Sequence, residues 1–277
     1  MDFAKCTLDN KIYKISEFKE LSLSEIEQKR RFLQCKCGGA GFFRKASKSG
    51  QGACFGARPH KDGCEFASPE YENVNGALSP EEKEFINSGE EIKLDLQYGA
   101  VESKHIIETE EENEIGKNRG TTHSPINGKA KSILQRRLST LLRVLINEKD
   151  FFKESKQKIY FKAKNYYYAK NFFIHSDYIT NEYVEEINPH SYRAVWGMIS
   201  DCRYSNKNKS LWLNTSGNDT ISILIEEEFH DIFMERFKVK DTVDMSGKYV
   251  LIISRLKKSK NDKIYAILED ISYISVV

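Results

Sequence analysis

Between positions 35 and 64 the chain holds seven glycines, four cysteines and a histidine, with too few large apolar side chains to build a core of its own. Such a segment folds when something besides hydrophobic burial closes it, and a bound metal is the usual agent. Cys35-Lys36-Cys37-Gly38-Gly39 offers one pair of ligands on a glycine-rich turn, and His60-Lys61-Asp62-Gly63-Cys64 offers a second. Two pairs of soft or borderline donors suit a tetrahedral Zn2+ site. The reading is a structural zinc site of Cys35, Cys37, His60 and Cys64. Cys54 lies between the pairs and competes as a substitute ligand, and Cys6 is a further candidate. No Glu stands at helical spacing from His60, as a His-Glu-x-x-His enzyme needs. The expected role of the metal is therefore scaffolding.

Around these ligands, Phe42-Phe43-Arg44-Lys45 reads as a strand, and Cys54-Phe55-Gly56-Ala57-Arg58-Pro59-His60 leads into the last pair. On these residues, about 30–68, the segment resembles the zinc-binding part of bacterial competence proteins of the CoiA type. It departs from them in its Cys-x-Cys spacing, and the nuclease half of such proteins is not evident. The resemblance implies DNA-related work and a fold for this segment only. Phe42, Phe43 and Phe55 are expected to form a small core under the metal. Arg44, Lys45 and Arg58 are candidate phosphate contacts.

The remainder divides by texture. Ser22 with Glu25 predicts a capped helix with Leu23, Ile26 and Leu33 facing inward. Ser79-Pro80 marks another helix start, and residues 92–101 alternate as a strand does. Residues 65–115 carry 3 basic against 15 acidic side chains, and residues 128–174 carry 12 against 3, so the net charge of +2 hides two opposed blocks. Residues 128–149 read as one amphipathic helix. From Ile159 onward the chain is rich in strands: 159–163, 166–174, 192–202, 211–214 and 220–225, then a helix over 226–237, then 247–256 and 264–276. From Tyr192 the order is three strands, a helix and two strands, that of an OB-fold, with Gly197 and Gly247 suited to its bends. The predicted fold class is α+β: an N-terminal zinc-binding module plus a C-terminal OB-like five-stranded β-barrel. The expected divisions are 1–115, a zinc module with an acidic extension; 116–158, a basic loop and helix; and 159–277, the β-rich OB-like domain.

Basic side chains interleaved with aromatics suit single-stranded nucleic acid, since each phosphate takes a charge and each base a stacking face. In the basic block Lys129, Lys131, Arg136 and Arg137 are the first candidates, extended by Lys117 and Arg119. On the barrel, the rim loops of an OB-fold would hold Arg203, Lys207 and Lys209, and Arg255, Lys257, Lys258, Lys260 and Lys263. Trp212 on the second strand is placed to stack a base.

No phosphate-cradling loop, nucleophile elbow or dinucleotide fingerprint is present. No catalytic residue is assigned, although Glu91, Lys93 and Asp95 form a set that a metal-dependent nuclease would use. No apolar run in the sequence approaches a membrane span of about 18–20 residues. The N-terminal residues lack a secretory pattern, so a cytoplasmic location is expected. The leading expectation is a non-enzymatic protein that binds single-stranded DNA or RNA with little sequence specificity. A protein–protein adaptor in a DNA-processing or defence complex is the alternative, and a nuclease the third.

Overall fold

The structure is a computed structural model and describes residues 1–47, 50, 52–61, 63–67, 91–96, 133–153, 155–162, 166–216 and 221–277. The N-terminal module contains β1 (Phe3–Cys6), β2 (Ile12–Lys14), α1 (Ile15–Phe18), α2 (Leu23–Lys29), β3 (Leu33–Gln34), β4 (Gly41–Arg44) and β5 (Cys54–Ala57). Strands β2-β1-β3 form one antiparallel sheet and β4-β5 a hairpin. The capping box forms at α2: Ser22 Oγ accepts from the Glu25 N–H at 3.3 Å, and the Glu25 carboxylate accepts from the Ser22 N–H at 3.1 Å. Ile26 and Leu33 are buried as expected, but Leu23, on the first turn of the helix, is 72% exposed. Phe18, Phe43 and Phe55 pack ring against ring, with centroids 5.0–5.2 Å apart around Phe18.

A second unit pairs strands from distant parts of the chain. It comprises β6 (Glu91–Asp95), β7 (Ile133–Arg137), α3 (Leu138–Asn147), β8 (Lys158–Tyr160), β9 (Tyr166–Tyr168) and α4 (Ala169–Phe172), with sheet order β7-β6-β8-β9. The helix expected over 128–149 is thus shorter. Residues 133–137 lie in parallel register with β6, from Glu91↔Ile133 to Asp95↔Arg137. A short apolar run fits strand and helix alike until a partner decides it, and β6 is that partner. The helix begins at Leu138, where Leu138, Leu141, Leu142 and Leu145 share one buried face. This sheet also spans the divisions expected at 115/116 and 158/159.

The third unit is the curled sheet. It contains β10 (Phe173–His175), α5 (Asn181–Glu186), β11 (Arg193–Tyr204), β12 (Leu211–Thr215), β13 (Ser222–Ile225), α6 (Glu227–Arg236), β14 (Tyr249–Ser254), β15 (Leu256–Lys258), β16 (Ile264–Ile267) and β17 (Ile274–Val276). The path runs β15-β16-β13-β12-β11-β14-β17. Arg255 alone separates β14 from β15, so backbone joins the two sides of the path and the sheet curls into a half-barrel. Long β11 bends at a register shift between Ile199 and Asp201, pairing with β14 before it and β12 after it. β13 pairs in parallel with β16, and α6 sits between third and fourth strands. This is an OB-like arrangement, extended by β17 on β14 and β10 on β11. The expected strands over 166–174 and 264–276 are each broken by a helical turn, α4 and the 3-10 turn Ile271–Tyr273.

Period-2 alternation sorts the barrel's side chains. Val195, Ile199, Leu213, Ile223, Ile252 and Ala266 fill its interior. Ala194, Trp196, Met198, Leu251 and Ile253 face the other way, into a second core shared with α3, Ile92, Ile159 and Phe172. One wall of the barrel is therefore covered by the sheet-and-helix unit.

The N-terminal module docks on the same barrel through polar groups. Arg30 is 5% exposed, and its guanidinium donates to Asp201 Oδ1 (3.3 Å), the Ser200 and Phe43 carbonyls (both 3.0 Å) and Ser246 Oγ (3.3 Å). Asn214 donates to the other Asp201 oxygen at 2.9 Å, and Ser222 donates to Asn214 at 2.7 Å. Gly247 has φ +86°, and a Cβ there would stand 2.3 Å from the Phe42 ring. That glycine both turns the chain and admits Phe42.

Candidate metal centre and nucleic-acid interface

Two turns bring the four predicted ligands together. The Cys35 N–H donates to the Gly39 carbonyl at 2.9 Å and the Gly38 N–H to Cys35 at 2.8 Å, which folds the first pair around a point. The Cys64 N–H donates to Lys61 at 3.2 Å and closes the second. The ligand atoms of Cys35, Cys37, His60 and Cys64 all lie within 4.8 Å of one another. Cys35 Sγ is 3.8 Å from Cys64 Sγ, and Cys37 Sγ is 3.7 Å from His60 Nδ1. A tetrahedron with metal–sulfur bonds of about 2.3 Å has ligand edges of about 3.8 Å. The spacing and the three-sulfur, one-nitrogen donor set fit a four-coordinate soft or borderline divalent metal. Four protein ligands complete such a shell without an open position, which is the structural type.

The thiols are electrically unequal. Burial pushes Cys35 up to about 11. Burial also opposes ionisation of Cys37, but backbone N–H groups of Lys61 and Gly39 and the His60 ring outweigh it and bring that thiol down to about 6. Cys37 is the ligand prepared to be a thiolate, and the Lys61 N–H lies 3.4 Å from its sulfur. Cys54, the competing candidate, sits on β5 opposite Arg44 and is outside the cluster. Cys6 is buried on β1, with its sulfur toward the Lys29 carbonyl.

The predicted phosphate contacts separate into two groups. Arg44 donates to the Ser246 carbonyl (3.1 Å) and Arg58 to the Gly247 carbonyl (3.2 Å), while Tyr249 donates to the Arg58 carbonyl (2.9 Å). Both arginines belong to the seam between module and barrel. Lys45 follows β4, half-buried. Lys129, Lys131, Lys117 and Arg119 lie outside the described residues, as does the Ser79-Pro80 helix start. Arg136 and Arg137 are on β7, with Arg137 Nε 3.7 Å from Asp95. Glu91 faces Lys158 at 3.5 Å, so both carboxylates of the nuclease-like set have cationic neighbours. Arg255 binds Glu269 at 2.6 Å and lies over Tyr192. Lys258 binds Glu185 at 2.7 Å and Asp262 at 3.2 Å.

The second group gathers on the barrel wall formed by β12, β13 and β16. Arg203, Trp212, Leu224 and Ile267 stand in one cross-strand row on the outer face. Tyr265 stands in the next row, opposite Ser222 and Lys257. Trp212 and Tyr265 meet edge to face at 6.3 Å. All of these aromatic and aliphatic side chains are half-buried, unlike the closed interior. Lys207 and Lys209 on one bordering loop, and Lys257, Lys260 and Lys263 on the other, are exposed. Arg203 reaches Glu27 of α2 at 3.0 Å. Tyr265 and Ile267 escaped the sequence reading, although their alternation with Ile264, Ala266 and Leu268 marks them as outward.

No helix among the described residues is long and apolar enough to cross a membrane. No family model matches the chain, and no curated protein matches it. Among solved structures, the S. pombe Stn1–Ten1 complex is similar at 8% identity with a TM-score of 0.24, over 31% of this chain. The chain spans 57% of the length of that solved chain. A likeness at that score decides nothing about fold or ligand, and the OB-like assignment rests on strand pairing alone.

Proposed function

We propose that this is a zinc-stabilised, non-enzymatic protein that binds single-stranded DNA or RNA along the outer β12-β13-β16 wall with little sequence readout. The observation that carries the reading is the half-buried Trp212–Tyr265 pair, set beside Leu224 and Ile267 and bordered by two lysine loops. Rings supply stacking faces that accept any base, and Lys207, Lys209, Lys257, Lys260 and Lys263 supply charge for the phosphates. Zinc holds the turns at Cys35–Gly39 and His60–Cys64 and takes no part in chemistry. The resemblance of residues 30–68 to CoiA-type segments agrees with DNA-related work.

The test is an electrophoretic shift of single- and double-stranded DNA and RNA over a salt series, with metal content measured on the same sample. Single strands should bind, with log K falling by about 0.7 per phosphate contact for each decade of salt. Trp212→Ala should cost about 1–3 kcal/mol of binding. Lys257→Glu with Lys260→Glu should flatten the salt slope. Absent or salt-independent binding defeats the reading and leaves a protein-docking wall, where these charge reversals would change partner capture instead.

A further inference from the structure

The sheet β7-β6-β8-β9 buries one face. Ile92, Leu94 and Ile159 point into the core shared with α3 and the barrel. Side chains alternate along a strand, so the residues between them point the other way. On that outer face Tyr160 stands opposite Tyr166, Lys158 opposite Tyr168, and Lys93 beside Tyr160. Tyr166 is 44% exposed and Tyr168 43%, so both rings stand in solvent.

The three tyrosines meet at steep angles. Tyr166 and Tyr168 have centroids 5.5 Å apart at 83°, and Tyr160 and Tyr166 lie 6.1 Å apart at 53°. Within this trio no ring stacks on another, which leaves ring faces for a flat partner. Lys158 Nζ lies 5.0 Å over Tyr166 and 3.5 Å from Glu91, so its charge is matched. Lys93 is exposed and has no acidic partner among the described residues. Strands β7, β8 and β9 all come from the block 128–174, where 12 basic side chains stand against 3 acidic ones. That balance favours a polyanion, and the open rings favour one that carries flat bases. An acidic polypeptide would match the charge and leave the ring faces without a flat partner.

We propose that Tyr160, Tyr166 and Tyr168 form a second stacking platform for single-stranded nucleic acid, with Lys93 meeting a phosphate. The ligand class rests on the nucleic-acid reading of the protein. The surface is separate from the β12-β13-β16 wall and shares no residue with it. Because Lys158 is already paired, the platform holds bases more than phosphates, and its salt dependence is shallower than that of the lysine-bordered wall.

The test uses the full-length chain and labelled oligothymidylate, read by fluorescence anisotropy over a salt series. Tyr166→Ala with Tyr168→Ala should weaken binding about tenfold or more, through two lost stacks. Tyr166→Phe with Tyr168→Phe should keep the affinity, because the ring and not the hydroxyl does the stacking. Trp212→Ala with Lys257→Glu and Lys260→Glu disables the wall, and the binding that remains should have a shallower salt slope than that of the unmutated chain. Photocrosslinking of iodouracil-bearing oligothymidylate to the unmutated chain should join it to Tyr166 or Tyr168, a readout that needs no substitution to fold. Equal affinity for the two-alanine variant, or crosslinks confined to the barrel wall, overturns the platform and leaves the wall standing. If the two alanines change the oligomeric state and not the affinity, the face is a protein contact and the proposal is wrong. If the wall variant keeps full affinity and the two-alanine variant loses it, the platform stands and the wall is wrong.

Discussion

The barrel and the N-terminal module are held by different forces. Among the described residues, nineteen buried apolar side chains cluster in and around the barrel interior, against eight in the module's own cluster. The barrel needs only water to drive it, since burying a Val, Leu or Ile contributes about 1.5–3 kcal/mol. The module has four packed aromatic rings, a four-ligand cluster on its turns and a buried arginine reaching across a seam. Its order therefore depends on specific directional contacts, each of which fails all at once when a partner is removed.

The largest effect should come from the metal. Structural zinc contributes apparent free energies of about 10–16 kcal/mol in small modules, comparable to the total stability of a domain. Chelation, or Cys37→Ser, should abolish hydrogen-exchange protection at Phe43 and Phe55 while leaving Leu213 and Ile252 protected. Metal analysis of the untreated protein should return one zinc per chain. Equal protection in both regions after chelation would remove the contrast between them.

Next comes the seam. Removing one partner of a buried ion pair strands the other, at about 3–5 kcal/mol. Arg30→Met would remove the buried partner of Asp201 and leave it beside Asn214, Arg203 and the charge of Arg31. Ile223→Val in the barrel interior should cost about 0.5–1.5 kcal/mol. Urea denaturation of both variants makes the comparison direct, and a smaller loss for Arg30→Met than for Ile223→Val would show that the seam is not held by its charges. Gly247→Ala should fall between them at about 1–3 kcal/mol, because the added Cβ meets Phe42 and the positive φ disfavours any side chain. Phe42→Leu should recover the steric part of that loss and leave the backbone part.

The same contrast governs what could be read from the sequence. Local signals were legible: the Ser22–Glu25 box, the paired turns at Cys35 and His60, and a strand order whose alternation is written in each segment. Pairings between distant segments were not. Residues 133–137 carry helical spacing, and only the backbone of β6 makes them a strand. Arg30 meets Asp201 across 171 positions, with nothing near either to announce it. Arg44 and Arg58 look like any exposed cations beside aromatics, and their use on the Ser246 and Gly247 carbonyls follows from docking, which local composition does not encode. The position of Trp212 on the second barrel strand follows from the strand order, whereas its contact with Tyr265 required the register between β13 and β16.

The smallest effect is a pH dependence confined to the module. Tyr13 donates to Asp9 at 2.6 Å, Lys29 lies 3.3 Å from the same oxygen, and the Lys11 N–H donates to the other at 3.1 Å. The Tyr13 hydrogen bond above all holds the Asp9 carboxyl well below its ordinary 3.8, with burial working against it. A carboxyl depressed in the folded state binds its proton more readily when unfolded. Its contribution is therefore complete above the ordinary value and drains away as pH falls below it. Metal loss also occurs in acid, because thiolate ligands take up protons, so the wild-type profile alone cannot isolate Asp9. Asp9→Asn can. With the same excess of zinc in both samples, the variant should be less stable than wild type at pH 7, and the gap should begin to narrow as pH falls below the ordinary 3.8, read at the module's own unfolding transition. A constant difference across that range would mean that Asp9 acts through shape and not through its charge.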